Sequence, residues 1–234
     1  MKILAIDSSA LVASVALCED ERVLAEYTLN NGNTHSETLL PMIENVLSAL
    51  SISTSDVDVF AVSEGPGSFT GVRIGVATIK GLAFSSGKPC VGVSTLEALA
   101  YNLRSHKGII VPVMNARRSQ VYTAIFESDG NGLKRLLPDS AMAISELDEL
   151  LFKYEQDVYL CGDGYDISVD GFEKTKVCFV PERLRLQSGA SVASVALKKY
   201  KDGETCSDRE LGVQYLRPSQ AERERAEREE NKRS

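Results

Sequence analysis

A strand pattern that occurs twice, offset by about 108 residues, constrains this chain more than any other feature of its sequence. Ile3-Leu4-Ala5-Ile6 reads as a buried strand ending at Asp7, Ser8 and Ser9 supply a turn, and residues 12–17 alternate as a second strand. A turn at 19–22 leads to a third strand at 23–29. In the second half Val111-Pro112-Val113-Met114 ends at Asn115, a polar turn follows, and residues 120–126 alternate. Asn115 falls where Asp7 fell. After each meander come a helix and a strand, at 57–62 and at 157–161. The pattern therefore predicts two similar α/β halves. With 234 residues and 43% hydrophobic content, the chain can bury them as one large domain or two small lobes.

Two helices of the first half carry more apolar surface than one stripe. Thr34-His35-Ser36-Glu37 has the form of a capping box, opening a helix to about Leu50. Pro41 removes a hydrogen bond inside it, so a kink there or a later start near Leu40 is expected. The second helix, 70–86, stops at Gly87-Lys88-Pro89. Its apolar residues Val72, Ile74, Val76, Ile79, Leu82 and Phe84 spread around the axis, while Gly71, Gly75, Ala77 and Gly81 leave room for a second backbone. A helix apolar all round must be buried all round, by its own domain or by the sheet on one side and a partner on the other.

This helix is launched by Glu-Gly-Pro-Gly-Ser-Phe-Thr-Gly-Val-Arg-Ile-Gly at 64–75. Glycines before a helix start can cradle phosphate. Gly65, Gly67 and Gly71 are spaced one residue too long for the dinucleotide fingerprint, and the stretch 81–88 lacks the Ser or Thr that follows the lysine of a Walker loop. The turn, with Ser68, Thr70 and Arg73, reads as the seat of a helix, with Arg73 either pinning the loop through carbonyls or meeting an acidic group on a partner.

Thirty-three acids against 26 bases give a formal charge of −7, which disfavours a broad phosphate-binding footprint. Five widely separated cysteines without a C-x-x-C pair read as buried, reduced thiols. The first apolar run is too short for a signal peptide or membrane span, so a cytoplasmic protein is expected.

Ile3-Leu4-Ala5-Ile6-Asp7-Ser8-Ser9, then His35-Ser36-Glu37-Thr38-Leu39-Leu40-Pro41, then residues 65–75, then Ala116-Arg117 with Gln120-Val121-Tyr122, resemble in order the bacterial TsaB (YeaZ) family. The resemblance covers about the first 126 residues, and beyond them rests on Tyr215-Leu216-Arg217 at an expected strand end. Asn115 departs from the aspartate usual in the family before Ala-Arg. The resemblance implies a two-lobed α/β fold of the actin, sugar-kinase and heat-shock-ATPase type, ribonuclease-H-like in each half. It implies a dimerization subunit, not itself an enzyme, of the machinery that places threonylcarbamoyl on adenosine 37 of tRNAs reading codons that begin with adenosine. The implied partners are the catalytic paralogue TsaD and the ATPase TsaE, with homodimers in isolation and tRNA met only through the complex. Carried over residue by residue, it nominates Leu39, Met42, Ile43, Val46, Val72, Gly75, Val76 and Ile79 as contacts.

The catalytic paralogue is expected to hold metal with two histidines four apart on a helix. Here His35 and His106 lie 71 positions apart, so no such motif forms. His35, at a helix start, is expected to meet a partner or solvent. No Gly-x-Ser-x-Gly elbow supports a peptidase. A small kinase-like protein is the alternative: Asp7, Ser8 and Ser9 match the fold's first phosphate loop, a site for weak ATP or ADP binding, and Gly162-Asp163-Gly164 a reduced second one. Against it, Asn115 lacks the charge to organise magnesium. A homodimer with a structural role apart from tRNA is a third reading. The expected organisation is a lobe at 1–106, a reduced lobe at 107–218 and a charged tail at 219–234 with five acids and five bases. Within the second lobe 145–154 reads as helix and 163–176 as a long turn region.

Overall fold

The computed structural model describes residues 1–32 and 34–217. The tail at 219–234 lies outside the described residues.

The first half runs β1 (Lys2–Asp7), β2 (Ala13–Glu19), β3 (Arg22–Leu29), α1 (His35–Ala49), β4 (Val59–Gly65), α2 (Phe69–Ser86), β5 (Cys90–Ser94) and α3 (Thr95–Tyr101). The second runs β6 (Gly108–Asn115), β7 (Gln120–Ser128), β8 (Leu133–Ala143), α4 (Ile144–Leu151), β9 (Val158–Cys161), α5 (Tyr165–Gly171) and β10 (Val177–Cys178), followed by α6 (Gly189–Lys201). The strand orders are β3-β2-β1-β4-β5 and β8-β7-β6-β9-β10. In each sheet three strands form an antiparallel meander and two more add in parallel beside the first. The twofold pattern of the sequence is therefore a duplicated ribonuclease-H-like sheet, and the fold is α/β and two-lobed.

β2 is buried on both sides from Ala13 to Cys18, so its alternation separates two cores instead of core from solvent. Ala13, Val15 and Leu17 join the cluster beneath α1 and α2, whereas Ala16 and Cys18 face a second cluster built with α6. Val15 and Leu17, both fully buried, each contribute about 1.5–3 kcal/mol of hydrophobic stabilisation. The close approach of α6 requires glycine at its start: a Cβ on Gly189 would lie 2.7 Å from the Ala16 nitrogen.

α6 corrects the expected organisation. A second lobe at 107–218 does not describe the packing, because residues 189–201 return to cover the open face of the first sheet. The reason is geometric: α1 and α2 occupy one face, and the other would otherwise expose Ile3, Ala5, Val59 and Val91. α3 bridges the halves, with Ala98 in the α6 cluster and Leu96 and Leu99 in a core of the second sheet.

Four local expectations change. Thr34 is the N-cap of α1 but its side chain makes no capping hydrogen bond, so the capping box does not form. α1 begins at His35, not near Leu40, and continues through Pro41. Pro41 and Glu37 are exposed, so water can serve the Glu37 carbonyl that the missing N–H leaves open. The expected turn at 163–176 contains α5. Residues 215–217 form no strand. Instead 207–217 is an irregular strap across α2, held by Gln214 N–H to the Glu64 carbonyl (2.7 Å) and by Lys80 Nζ to the carbonyls of Arg209 (3.3 Å) and Leu211 (2.8 Å).

Candidate functional site: a cleft between unequal strand ends

The ends of β1 and β6 face a cleft of about 710 Å³, lined on one side by Leu11, His35 and Phe69 and on the other by Tyr122, Asp163 and Arg217. Its two walls are built differently.

On the first wall Asp7, Ser8 and Ser9 are fully buried. Asp7 Oδ1 accepts from Ser9 N (2.9 Å) and Ser9 Oγ (2.6 Å), and its Oδ2 from Ser63 Oγ (2.6 Å). Burial pushes the Asp7 carboxyl above its ordinary range, against the pull of these hydrogen bonds, which favour the charged form. Ser8 Oγ donates to the Gly71 carbonyl (2.9 Å), and Ser68 N–H donates to the Ser9 carbonyl (2.6 Å). The start of α2 thus lies directly on the turn that was expected to receive phosphate. The side chains of Asp7, Ser8 and Ser9, expected to serve weak nucleotide binding, are instead fully buried and spent on internal bonds, although Ser9 still borders the cleft.

That close approach explains the glycines. A Cβ on Gly67 would lie 2.4 Å from the Ser9 carbonyl oxygen, one on Gly71 2.1 Å from the Ser8 carbonyl oxygen, and one on Gly75 2.4 Å from Ser8 Oγ. Gly65, at φ +121°, adopts backbone that favours glycine. Ser68 caps α2, its hydroxyl accepting from Gly71 N–H (3.3 Å), while Thr70 is exposed. Arg73 does not pin the loop through carbonyls. Its guanidinium lies 3.7 Å from the Phe69 ring centroid and its Nε donates to Tyr215 Oη (2.5 Å), with the two rings stacked at 4.9 Å. His35 Nε2–H donates to the Ala10 carbonyl (2.6 Å), tying α1 to the same turn, so its role is internal.

The second wall is open. Asp163 Oδ1 accepts from Asn115 N–H (3.2 Å), and Asn115 Oδ1 accepts from Arg117 N–H (2.8 Å). An amide oxygen suffices for that bond, which is how asparagine serves where the resembling family has aspartate. Asp163 is exposed to the cleft, yet the walls keep enough bulk water away that desolvation, with Asp7 adding repulsion, raises its carboxyl. Arg117, Arg118 and Ser119 close the β6–β7 hairpin with φ of 64°, 54° and 55°, a left-handed turn that costs non-glycine residues roughly 1 kcal/mol each. No group of three or more His, Cys, Asp or Glu among the described residues could hold a metal ion.

The eight nominated contacts turn inward. Leu39, Met42, Ile43, Val46, Val72, Val76 and Ile79 are buried in the core between α1, α2 and the first sheet, and Gly75 is buried against Ser8. In the isolated chain the sheet and the two helices themselves already cover them. The outward residues are others: Leu40 on α1, and Arg73, Ala77, Gly81 and Phe84 on α2, with Phe84 73% exposed. Phe69 and Tyr215 were also missed, since a stacking pair so far apart in sequence leaves no local signal.

The chain matches the family model described as TsaD, tRNA N6-adenosine threonylcarbamoyltransferase, over residues 22–222. The tRNA threonylcarbamoyladenosine biosynthesis protein TsaB of Bacillus subtilis is 37% identical over 69% of this chain and 71% of its own length. Its Escherichia coli namesake is 30% identical over 93% of this chain and 95% of its own length. The solved structure of YeaZ from Pseudomonas aeruginosa superposes with a TM-score of 0.81 at 25% identity, covering 92% of this chain and 99% of that one. Extended matching at this identity, on a duplicated fold shared with a solved relative, has one reading: the chain belongs to the TsaB (YeaZ) family of tRNA threonylcarbamoyladenosine biosynthesis proteins.

Proposed function

We propose that this chain is a non-catalytic dimerization subunit of the machinery that adds threonylcarbamoyl to adenosine 37 of tRNA, pairing through the outer face of α1 and α2 with the catalytic subunit TsaD and working in the cytoplasm with the ATPase TsaE. In isolation the same face pairs with a second copy. tRNA is met through the complex, and the chain itself needs no cofactor. The relatives' names support the pathway. The sealed first wall of the cleft supports a subunit that positions rather than reacts, since a kinase would need Asp7 free to meet a metal-bound phosphate.

Gly81 is the observation that carries the pairing surface. It sits inside α2, where glycine costs about 1 kcal/mol relative to alanine, yet a Cβ there would meet nothing within 4 Å. Its own fold gives no reason for the missing side chain. Approach of another helix gives one, and the exposed Phe84 and Ala77 flank the spot.

Replacing Gly81 separates fold from pairing. Gly81→Leu is expected to raise the melting temperature of the isolated chain slightly, while weakening association with the catalytic subunit by about tenfold or more. Light scattering on the mixed subunits and the modification assay read the second effect. Undiminished binding and modification with this variant and with Phe84→Asp would overturn the assignment.

A further inference from the structure

Cys90 and Cys206 stand directly opposite each other at the edge of the first sheet. Cys90 N–H donates to the Cys206 carbonyl (2.8 Å) and Cys206 N–H to the Cys90 carbonyl (2.9 Å), an antiparallel bridge that adds residue 206 beside β5. Residues exchanging both bonds hold their Cα atoms about 5.5 Å apart. That spacing falls inside the range of Cα separations, about 4.4–6.8 Å, that disulfides span, but a hydrogen-bonded pair holds its side chains farther apart than a non-hydrogen-bonded one, so closure requires a shift of residue 206 that brings the two Cβ atoms to about 3.5–4.5 Å. Opposed residues in such a pair project to one face, and both thiols here pack against the core beneath α1 and α2. Cys206 Sγ lies 3.6 Å from the Cys90 carbonyl oxygen. The other cysteines are elsewhere: Cys18 under α6, Cys161 in the second half and Cys178 on β10.

The pair also differs in access. Cys90 is fully buried, whereas Cys206 is partly exposed, so a reagent from solvent meets Cys206 first. Directly after Cys206 comes the strap 207–217, whose far end holds Tyr215 on Phe69 and Arg73.

We infer that Cys90 and Cys206 form a redox pair that closes to an intramolecular disulfide and fastens the near end of the strap to β5. The oxidant is a small disulfide such as oxidised glutathione. The Cys206 thiolate attacks one of its sulfurs, forming a mixed disulfide and expelling one glutathione thiolate. The Cys90 thiolate then attacks the Cys206 sulfur and expels the second. Two electrons pass from the cysteine pair to the reagent, and the two thiol protons end on the two released glutathiones. Burial pushes Cys90 up to about 12, with Cys206 adding to the rise, and raises Cys206 as well. Thiolate is therefore scarce near neutral pH, and closure is slow.

The test uses the full chain under native conditions, incubated with oxidised glutathione, then alkylated and mapped by mass spectrometry, with hydrogen exchange run on oxidised and reduced samples. The expected result is a cross-linked pair of peptides carrying residues 90 and 206, lighter by two hydrogens, absent in Cys206→Ser and retained in Cys18→Ser. Amides of 207–217 should exchange several-fold more slowly in the oxidised form. A stable glutathione adduct on Cys206 with Cys90 still a free thiol, or no reaction without denaturant, would overturn the pair. A disulfide that leaves strap exchange unchanged would overturn its fastening role.

Discussion

The two sheets share one strand order, yet the ends of β1 and β6 do opposite things. At β1 a carboxylate, two serines and the glycines of α2 close on one another until no atom of Asp7 is exposed. At β6 an asparagine, a left-handed hairpin and Asp163 leave an open rim. Duplication fixes where a strand ends, not what its end does. The closed end requires side chains to be absent, because the start of α2 must approach within contact of Ser8 and Ser9. The open end leaves Asp163 exposed to the cleft, although desolvation still raises its carboxyl.

Several substitutions would break or sharpen that contrast, the largest first. Gly71→Val puts side-chain carbon against the Ser8 carbonyl and should cost about 3 kcal/mol or more in urea unfolding. Gly164→Ala on the open side meets only contacts of 3.1 Å or longer and should cost about 1 kcal/mol. Asp7→Ala strands the Ser9 N–H and two hydroxyls in the core, a loss of about 2–4 kcal/mol, whereas Asp163→Ala should stay within about 0.5 kcal/mol. Equal losses at these two aspartates would remove the distinction between the walls.

Acid sensitivity should separate the halves by sign. Asp148 in α4 is buried, which alone would raise its carboxyl, but the N–H groups of Glu173, Lys174 and Thr175 bind it and hold it below its ordinary 3.8. Its contribution is present above that value and lost as pH falls through the lowered one. Asp7, raised in the fold, favours the folded state below its unfolded value and loses that contribution as pH rises through the raised one. Stability measured across about pH 2–5 should therefore lose part of its acid-side fall in Asp148→Asn. An unchanged profile would refute the assignment. A small effect belongs to the strap: Tyr215→Ala should cost about 1 kcal/mol and speed exchange of 207–217 without unfolding either sheet.

Much of this architecture was legible before any coordinate. Strands β1, β3, β6 and β7 and helix α2 fall where their apolar periods and stop signals place them, because each pattern is local. What could not be read is what depends on distant chain. α6 is built from Ala, Ser and Val, a weak helical signal, and its burial follows only from the bare face it finds. The apolar stripe of α1 and α2 announced contact, but period alone does not say which side the sheet takes, and it took Leu39, Met42, Ile43, Val46, Val72, Val76 and Ile79. Asp7 followed the same rule: its place at a strand end was legible, and its enclosure depended on residues more than fifty positions away, such as Ser63 and Gly71.

The return of α6 also sets an order of events at the ribosome. The second sheet has its last strand once residue 178 has emerged, and the helices packed on it come earlier still. The first sheet, although made first, keeps one face uncovered until residues 189–201 leave the exit tunnel. A nascent chain therefore completes its later half before its earlier one, and through that interval Ile3, Ala5, Val59 and Val91 are the apolar surface that a chaperone would meet.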